Sequence, residues 1–385
     1  MNYNKNFDKL SGDYIFKKVR QKAKNCSLPQ KIIDLGVGDV KAPLFKETVN
    51  AMKLACDEFL TQKTFKGYPP AEGYQFLREK IAKEYQFLGV DIDLDEVFVT
   101  DGAKGQLGNL LELWGNEIDV LFQSPCYPVG AEASVLRSNN VDYAIALKQN
   151  DFIAYPPIGK RYDIIYLCSP CNPTGAVFSK KDLSVWINYA LDTKTTIIFD
   201  GAYSSFISGD YPRSVYQIQG AKECVIEVNS FSKSLGFTGI RCGFTVIPKE
   251  QEKTRYLYSQ WLGRRFNGVS YVSQRGAETF FNPTVREQLK KRINFYKTNA
   301  EILKIALKNI NLWYNNTVCS PYVFAKTPKG ICSTDFCDRL LKEVQIVATD
   351  GSGFCDGGEG YFRLSAFCSR QEALEASDRL KTLWR

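Results

Sequence analysis

Asn229-Ser230-Phe231-Ser232-Lys233-Ser234-Leu235-Gly236-Phe237-Thr238-Gly239-Ile240-Arg241 follows directly on a mostly apolar run, 224–228. The run reads as a buried strand, so the lysine falls just beyond a strand end, in a loop of serines and glycines with an arginine eight residues on. An amine set there can hold an aldehyde cofactor as a Schiff base, and Ser230, Ser232 and Arg241 can hold that cofactor's phosphate. A lone loop lysine is ordinarily just solvated. The rest of the chain decides between the two readings.

Upstream, a strand–loop–helix rhythm repeats from Val97. Val97-Phe98-Val99-Thr100 is an apolar strand, Asp101-Gly102-Ala103-Lys104-Gly105-Gln106 turns the chain, and a helix is expected to about Trp114. Further strands are expected at 118–123, 163–168 and 195–199. Such alternation predicts an α/β fold with a mainly parallel sheet covered on both faces, and ligands beyond the carboxyl ends of its strands.

Towards the N-terminus, residues 1–30 read as an arm plus a short helix. A short strand at 31–35 is ended by Gly36-Val37-Gly38-Asp39. That glycine pair lacks the third glycine of a dinucleotide fingerprint; it reads as a tight turn, or as backbone that must approach a small ligand closely. Helices are expected over 45–60 and 74–87, with a loop rich in Pro and Gly at 65–73 between them. After Pro248 the pattern is helical over roughly 250–311, then strands are expected near 320–326, 344–348 and 361–365, and a helix over 370–383. The expected division is 1–47 as an arm and part of a small domain, 48–275 as a large cofactor-binding domain, and 276–385 as a smaller α+β domain.

Composition narrows the chemistry. The 385 residues include 50 basic and 42 acidic side chains, a mild +8, with no basic run interleaved with aromatics as a nucleic-acid groove needs. Nothing resembles a membrane span or a signal-peptide core. The 12 cysteines are scattered and many sit in apolar runs, which suits buried thiols in a reducing cytoplasm. Cys168 and Cys171 have C-x-x-C spacing but no second pair at finger spacing, so no metal site is expected. Histidine is absent, which removes Ser-His-Asp and Cys-His catalysis and HExxH zinc sites together.

Polar residues collect at the expected strand ends: Asn172 in Ser169-Pro170-Cys171-Asn172-Pro173-Thr174-Gly175, Asp200 and Tyr203 in Asp200-Gly201-Ala202-Tyr203, and Tyr127 in Gln123-Ser124-Pro125-Cys126-Tyr127-Pro128. Each has a bland reading as a cap, a turn or a core tyrosine. Together they fit one ligand, pyridoxal phosphate. Asp200 pairs with its ring nitrogen, Asn172 and Tyr203 hydrogen-bond its phenolic oxygen, and Tyr127 stacks on the ring. The Ala103 and Lys104 amides join Ser230, Ser232 and Arg241 at the phosphate. Lys233 forms the imine and moves the proton, a role that suits a chain without histidine.

The run NPTG…FDGAY…SFSKSLGFTGIRCGF resembles the pyridoxal-phosphate-dependent class I/II aminotransferases of fold type I, over nearly the whole length. More narrowly, FKGY at 65–68, DGAK at 101–104, FNGVSY at 266–271 and GEGYFRLSAF at 358–367 are similar to the LL-diaminopimelate aminotransferase family. The resemblance implies a seven-stranded-type sheet between helices and amino-acid and keto-acid substrates with 2-oxoglutarate or glutamate, in lysine and cell-wall precursor synthesis. It implies Arg363 as clamp for the substrate α-carboxylate, with Tyr14, Gly38, Lys104, Tyr127 and Asn172 also at the substrate. It places Tyr68 and Asn267 at the cofactor, Tyr68 reaching in from the other subunit of a homodimer. Two departures stand out: position 71 is Ala with the acid at Glu72, where the family has an acid three positions after the loop tyrosine, and DGAK is followed by Gly-Gln. Other readings are a transaminase of aromatic or aliphatic donors, a β-lyase on the same cofactor, a non-catalytic cofactor-binding regulator, and a Rossmann nucleotide-binding protein.

Overall fold

Runs such as Ile164-Ile165-Tyr166-Leu167-Cys168 have no polar face and are stable only as strands covered on both sides. In the computed structural model, which describes residues 1–10, 13–25 and 31–383, they form the centre of a seven-stranded sheet. Its strands are β1 (Val97–Thr100), β2 (Asp119–Ser124), β3 (Asn140–Ile145), β4 (Ile164–Cys168), β5 (Thr196–Asp200), β6 (Val225–Ser230) and β7 (Gly243–Val246). The spatial order is β1-β7-β6-β5-β4-β2-β3, and only β7 runs antiparallel to its neighbours.

Alternate residues of each strand go to opposite cores. Ile165, Leu167, Ile197 and Phe199 face a core shared with Leu183 and Trp186 of the helix Lys180–Thr193. Ile164, Tyr166 and Ile198 face one shared with Leu107, Ala131, Tyr258 and Leu262. Helices therefore cover both faces, and every central strand aims its carboxyl end at the same edge.

A second core lies beyond that edge. There β8 (Tyr322–Lys326), β9 (Thr349–Asp350) and β10 (Tyr361–Ser365) form an antiparallel sheet of order β9-β10-β8. Ile33 and Leu35 join this core, and Ile33–Asp34 pairs in parallel with Ile346–Val347. The N-terminal segment is thereby stitched to the C-terminal part. The helix Pro283–Asn309, opened by the Asn282 cap and Pro283 at its first position, spans both cores. Val285, Leu289 and Ile293 pack on the large sheet's side, Leu303, Ala306 and Leu307 on the other.

Several expected elements are resized. The helical stretch 250–311 is three helices, Glu252–Arg265, Tyr271–Glu278 and Pro283–Asn309. The helix expected at 45–60 is Lys46–Asp57, and the last one is Arg370–Leu380. The strand at 31–35 shrinks to Ile33–Asp34 because only two residues find a partner. Strand β3 and the helix Val129–Leu136 had no counterpart in the sequence reading. β3 is a half-exposed edge strand, so it lacks the apolar run that marks its neighbours. In the N-terminal arm, Ser11, Gly12 and 26–30, with Cys26, lie outside the described residues. Among the described residues no helix is long and apolar enough to cross a membrane.

Candidate active site

A cleft of about 840 Å³ opens where the carboxyl ends of the large sheet meet the second core. Lys233, Asp200, Asn172, Tyr203, Tyr127, Ser230, Ser232, Arg241, Ala103, Lys104, Tyr14, Gly38 and Arg363 all line it. Among the described residues six basic side chains face it (Lys17, Arg20, Lys104, Lys233, Arg241 and Arg363) against two acids, Asp39 and Asp200, so its field favours anions.

At one end, Arg241 sits at φ 65°, a conformation costly for a non-glycine residue. Its Nη1 donates to Ser232 Oγ at 3.1 Å and to the carbonyl of Thr238 at 3.2 Å. Ser230 Oγ bonds Ser232 Oγ at 2.9 Å and accepts from the Ser232 N–H at 3.1 Å. Gly102, at φ 111°, has its Cα against the guanidinium; a Cβ there would lie 2.5 Å from Nη2. Glycine thus lets Arg241 lie across the start of the helix Ala103–Asn109, whose first N–H groups have no partner inside the helix. Two hydroxyls, a guanidinium and free amides converge there, the donor set of a phosphate site.

In the middle, Asp200 closes β5 between Cys168 and Val228 of the neighbouring strands. Burial pushes its pKa up to about 6, against the Ala202 N–H, the Cys168 thiol and the Lys233 charge, which all favour the carboxylate. The Ala202 bond is 3.0 Å, and no cation bonds the carboxylate among the described residues. Lys233 Nζ donates to the Gly38 carbonyl and lies 5.6 Å over the Phe367 ring. Tyr14 donates to Tyr127 at 2.8 Å, and Lys104 Nζ lies 4.1 Å over the Tyr14 ring.

At the other end, Arg363 is fully buried. Its Nη1 donates to Asn172 Oδ1 at 2.6 Å; its Nη2 donates to the Gly36 carbonyl at 2.6 Å and to Thr349 Oγ1 at 3.3 Å. Among the described residues Nε has no hydrogen-bond partner, and the rings of Tyr322, Phe354 and Phe16 stand 4.2, 5.0 and 5.2 Å from Cζ. Among the described residues no carboxylate meets this guanidinium, whose pKa burial lowers while the surrounding tyrosines hold it up. A buried cation facing a cleft without an anion is arranged to receive one.

Tyr68 and Asn267 do not line the cleft of their own chain. Tyr68 is 86% exposed and Asn267 is exposed. Their loops touch, since a Cβ at Gly268 would lie 2.5 Å from the Pro70 carbonyl. Glu72 lies in the field of Arg78 and also does not line the cleft. Tyr322 and Phe16 were not singled out for the site by the sequence reading. Tyr322 sits in an apolar strand that reads as core throughout, and Phe16 carried no signal beyond being an isolated aromatic.

The residues fit pyridoxal phosphate. Asp200 is a buried acid in want of a cation, which a protonated ring nitrogen supplies. Asn172 has only its Nδ2 left to give, and the hydroxyl–guanidinium cradle suits the phosphate. A doubly covered sheet with this cleft at its carboxyl edge, and with a lysine, a strand-end aspartate and a buried arginine converging, defines a fold type I pyridoxal-phosphate transferase.

Residues 30–380 match the family described as aminotransferase class I and II, and the chain belongs to it. It is 42% identical to a protein named LL-diaminopimelate aminotransferase from Bacteroides fragilis, and 40% identical to the protein of that name from Bacteroides thetaiotaomicron; each comparison covers 98% of both chains. The solved L,L-diaminopimelate aminotransferase of Chlamydomonas reinhardtii superposes with a TM-score of 0.93 at 33% identity, over 100% of this chain and 99% of that one. The protein is a pyridoxal-phosphate-dependent transaminase of mixed α/β fold.

Arg363→Lys keeps the charge and loses the two-pronged donor geometry. It is expected to lower kcat/KM roughly a hundredfold for amino-acid and keto-acid substrates alike, mostly through KM. Steady-state kinetics with two unrelated donors checks this; unchanged KM values would remove Arg363 from the substrate site.

Proposed function

We propose that the protein moves an amino group between the pair tetrahydrodipicolinate/LL-diaminopimelate and the pair glutamate/2-oxoglutarate, for lysine and peptidoglycan precursors. The observation that carries the transamination is Arg363, a buried guanidinium with no carboxylate partner among the described residues, and the choice of LL-diaminopimelate is supported by the likeness to the relatives of that name. It would bind the α-carboxylate of each substrate in turn and so place Cα beside Lys233. Pyridoxal phosphate, when bound, supplies the electron sink that makes a Cα–H bond acidic. Lys233 Nζ would take the Cα proton, Asp200 would hold the ring nitrogen protonated, and Asn172 and Tyr203 would donate to the phenolic oxygen. Ser230, Ser232, Arg241 and the Ala103 and Lys104 amides would hold the phosphate, and Tyr127 the ring face. Tyr14, Gly38 and Lys104 would close around the substrate.

Glu72 in place of an acid at Ala71 favours a second reading, a transaminase of aromatic or aliphatic donors. A donor panel with 2-oxoglutarate separates the two. LL-diaminopimelate is expected to be the best donor; turnover with phenylalanine or leucine and none with LL-diaminopimelate would reverse the assignment.

The exposure of Tyr68, and the packing of the neighbouring Pro69 and Pro70 against Gly268 beside Asn267, support a homodimer in which both residues complete the partner's cleft. Sedimentation should give a dimer, and a fully active monomer would contradict this. Residues 48–275 form the cofactor-holding part, and 1–47 with 276–385 the part that carries Arg363. Hydrogen exchange should show the latter two segments opening together, and independent opening would separate them. The buried free thiols suit a cytoplasmic setting; fractionation into an oxidising compartment would contradict it.

A further inference from the structure

We propose that Tyr322 is a positioning residue of the transamination site, its hydroxyl holding Tyr203 as a hydrogen-bond donor towards the cofactor while its ring carries Arg363. The proposal rests on the reading of Tyr203 given above. Tyr322 opens β8, in the second core, yet its side chain crosses to the large sheet's edge. Its hydroxyl lies 2.7 Å from that of Tyr203, and the two rings meet edge-on at 5.4 Å. Both side chains are buried.

Each phenol has one proton to give. If Tyr203 gives its proton to the cofactor's phenolic oxygen, the 2.7 Å bond must use the proton of Tyr322. A phenol that accepts one hydrogen bond is a better donor in the next, so Tyr322 strengthens Tyr203 where it matters.

Three further contacts fix Tyr322 in this role. A Cβ at Gly38 would lie 2.0 Å from its hydroxyl oxygen, so the glycine of the 36–39 turn makes room for that oxygen. The Tyr322 N–H donates to Ser320 Oγ at 3.1 Å, and the ring meets Phe367 edge-on at 6.0 Å. On its other side, the ring lies under the Arg363 guanidinium at 4.2 Å, a cation–π contact that presents the clamp. One side chain therefore touches the residue expected at the phenolic oxygen and the residue expected at the substrate carboxylate. The same contacts turn the close-approach reading of Gly38 towards a protein group.

The test is a double-mutant cycle on the holoenzyme, read by the pH midpoint of the bound cofactor's visible absorbance. When the lysine-bound nitrogen loses its proton, the phenolic oxygen is left to rely on Tyr203. Weakening that donor therefore moves the midpoint up. Tyr322→Phe, which keeps the ring and the Arg363 contact, is expected to raise the midpoint by about half a unit to one unit, the scale of one hydrogen bond. It should lower kcat while leaving KM for the donor unchanged. Tyr203→Phe should raise the midpoint further, and adding Tyr322→Phe to it should change nothing more. A midpoint that moves with Tyr203→Phe but not with Tyr322→Phe overturns the role of Tyr322 alone. An equal Tyr322→Phe shift in both backgrounds overturns it too, because the effect would not pass through Tyr203. No shift with Tyr203→Phe overturns the cofactor reading beneath it.

Discussion

Lys233→Ala is expected to abolish transamination, lowering turnover by about 10⁴-fold or more, the upper range for loss of a general acid–base group. The size of the loss follows from what else the cleft contains. The chain has no histidine. The phenols around the site are poor bases near neutral pH, because burial pushes Tyr14 up to about 12 and Tyr127 and Tyr203 well above their ordinary value. Asp200 would be committed at the ring nitrogen, and among the described residues Asp39 is the one other acid lining the cleft. Among the described residues no second amine bonds the Gly38 carbonyl to take over the proton. The variant should still bind pyridoxal phosphate, since Arg241, Ser230 and Ser232 hold their arrangement without the lysine. Single-turnover kinetics would check both halves; transamination retained within tenfold of wild type would refute the role of Lys233.

Asp200→Asn should have two opposite effects. Turnover should fall by roughly 10²- to 10⁴-fold, because a neutral amide cannot keep the ring nitrogen protonated. The cofactor-free protein should become more stable at alkaline pH. The folded carboxyl has a pKa of about 6 against a reference value of 3.8, so the folded state holds this proton more tightly than the unfolded one. The cost of ionising Asp200 is then absent below the unfolded value, grows as pH rises from 3.8, and is complete above about 6. A shift of this size amounts to ~3 kcal/mol as an upper bound. Denaturant unfolding of the cofactor-free proteins should therefore find the Asn variant more stable at pH 8 and close to wild type near pH 4. Equal stability at pH 8 would mean that Asp200 is not the strained group described. The cofactor-loaded wild type should not show this penalty, since a ring-nitrogen cation would partner the charge.

The parts legible in the sequence share a physical cause. β4, β5 and β6 are buried on both faces, so each is written as a largely apolar run, broken in β6 by the buried Glu227, and the polar residues that follow mark the strand ends. Lys233, Asp200, Asn172 and Arg241 were found that way, and the cleft brings them together. Arg363 has no such mark. It lies in the middle of β10, and only the resemblance of the 358–367 stretch drew attention to it. Its burial among rings and neutral acceptors is tertiary and leaves no local pattern. Tyr322 was hidden for the same reason, being one aromatic in a strand buried along Tyr322-Val323-Phe324-Ala325. Edge strand β3 was missed because Asn140-Val141-Asp142-Tyr143-Ala144-Ile145 is half exposed and mixed in polarity. The division of Pro283–Asn309 between two cores could not be read either, because its apolar stripe is continuous and only the partners change.

If Lys233 is the amine that holds the cofactor, borohydride reduction of the purified holoenzyme, followed by peptide mapping, should find the cofactor there. A single stably modified peptide is expected, with the pyridoxyl group on Lys233. Modification of Lys104 or any other lysine in its place, or a cofactor that dialyses away after reduction, would contradict it.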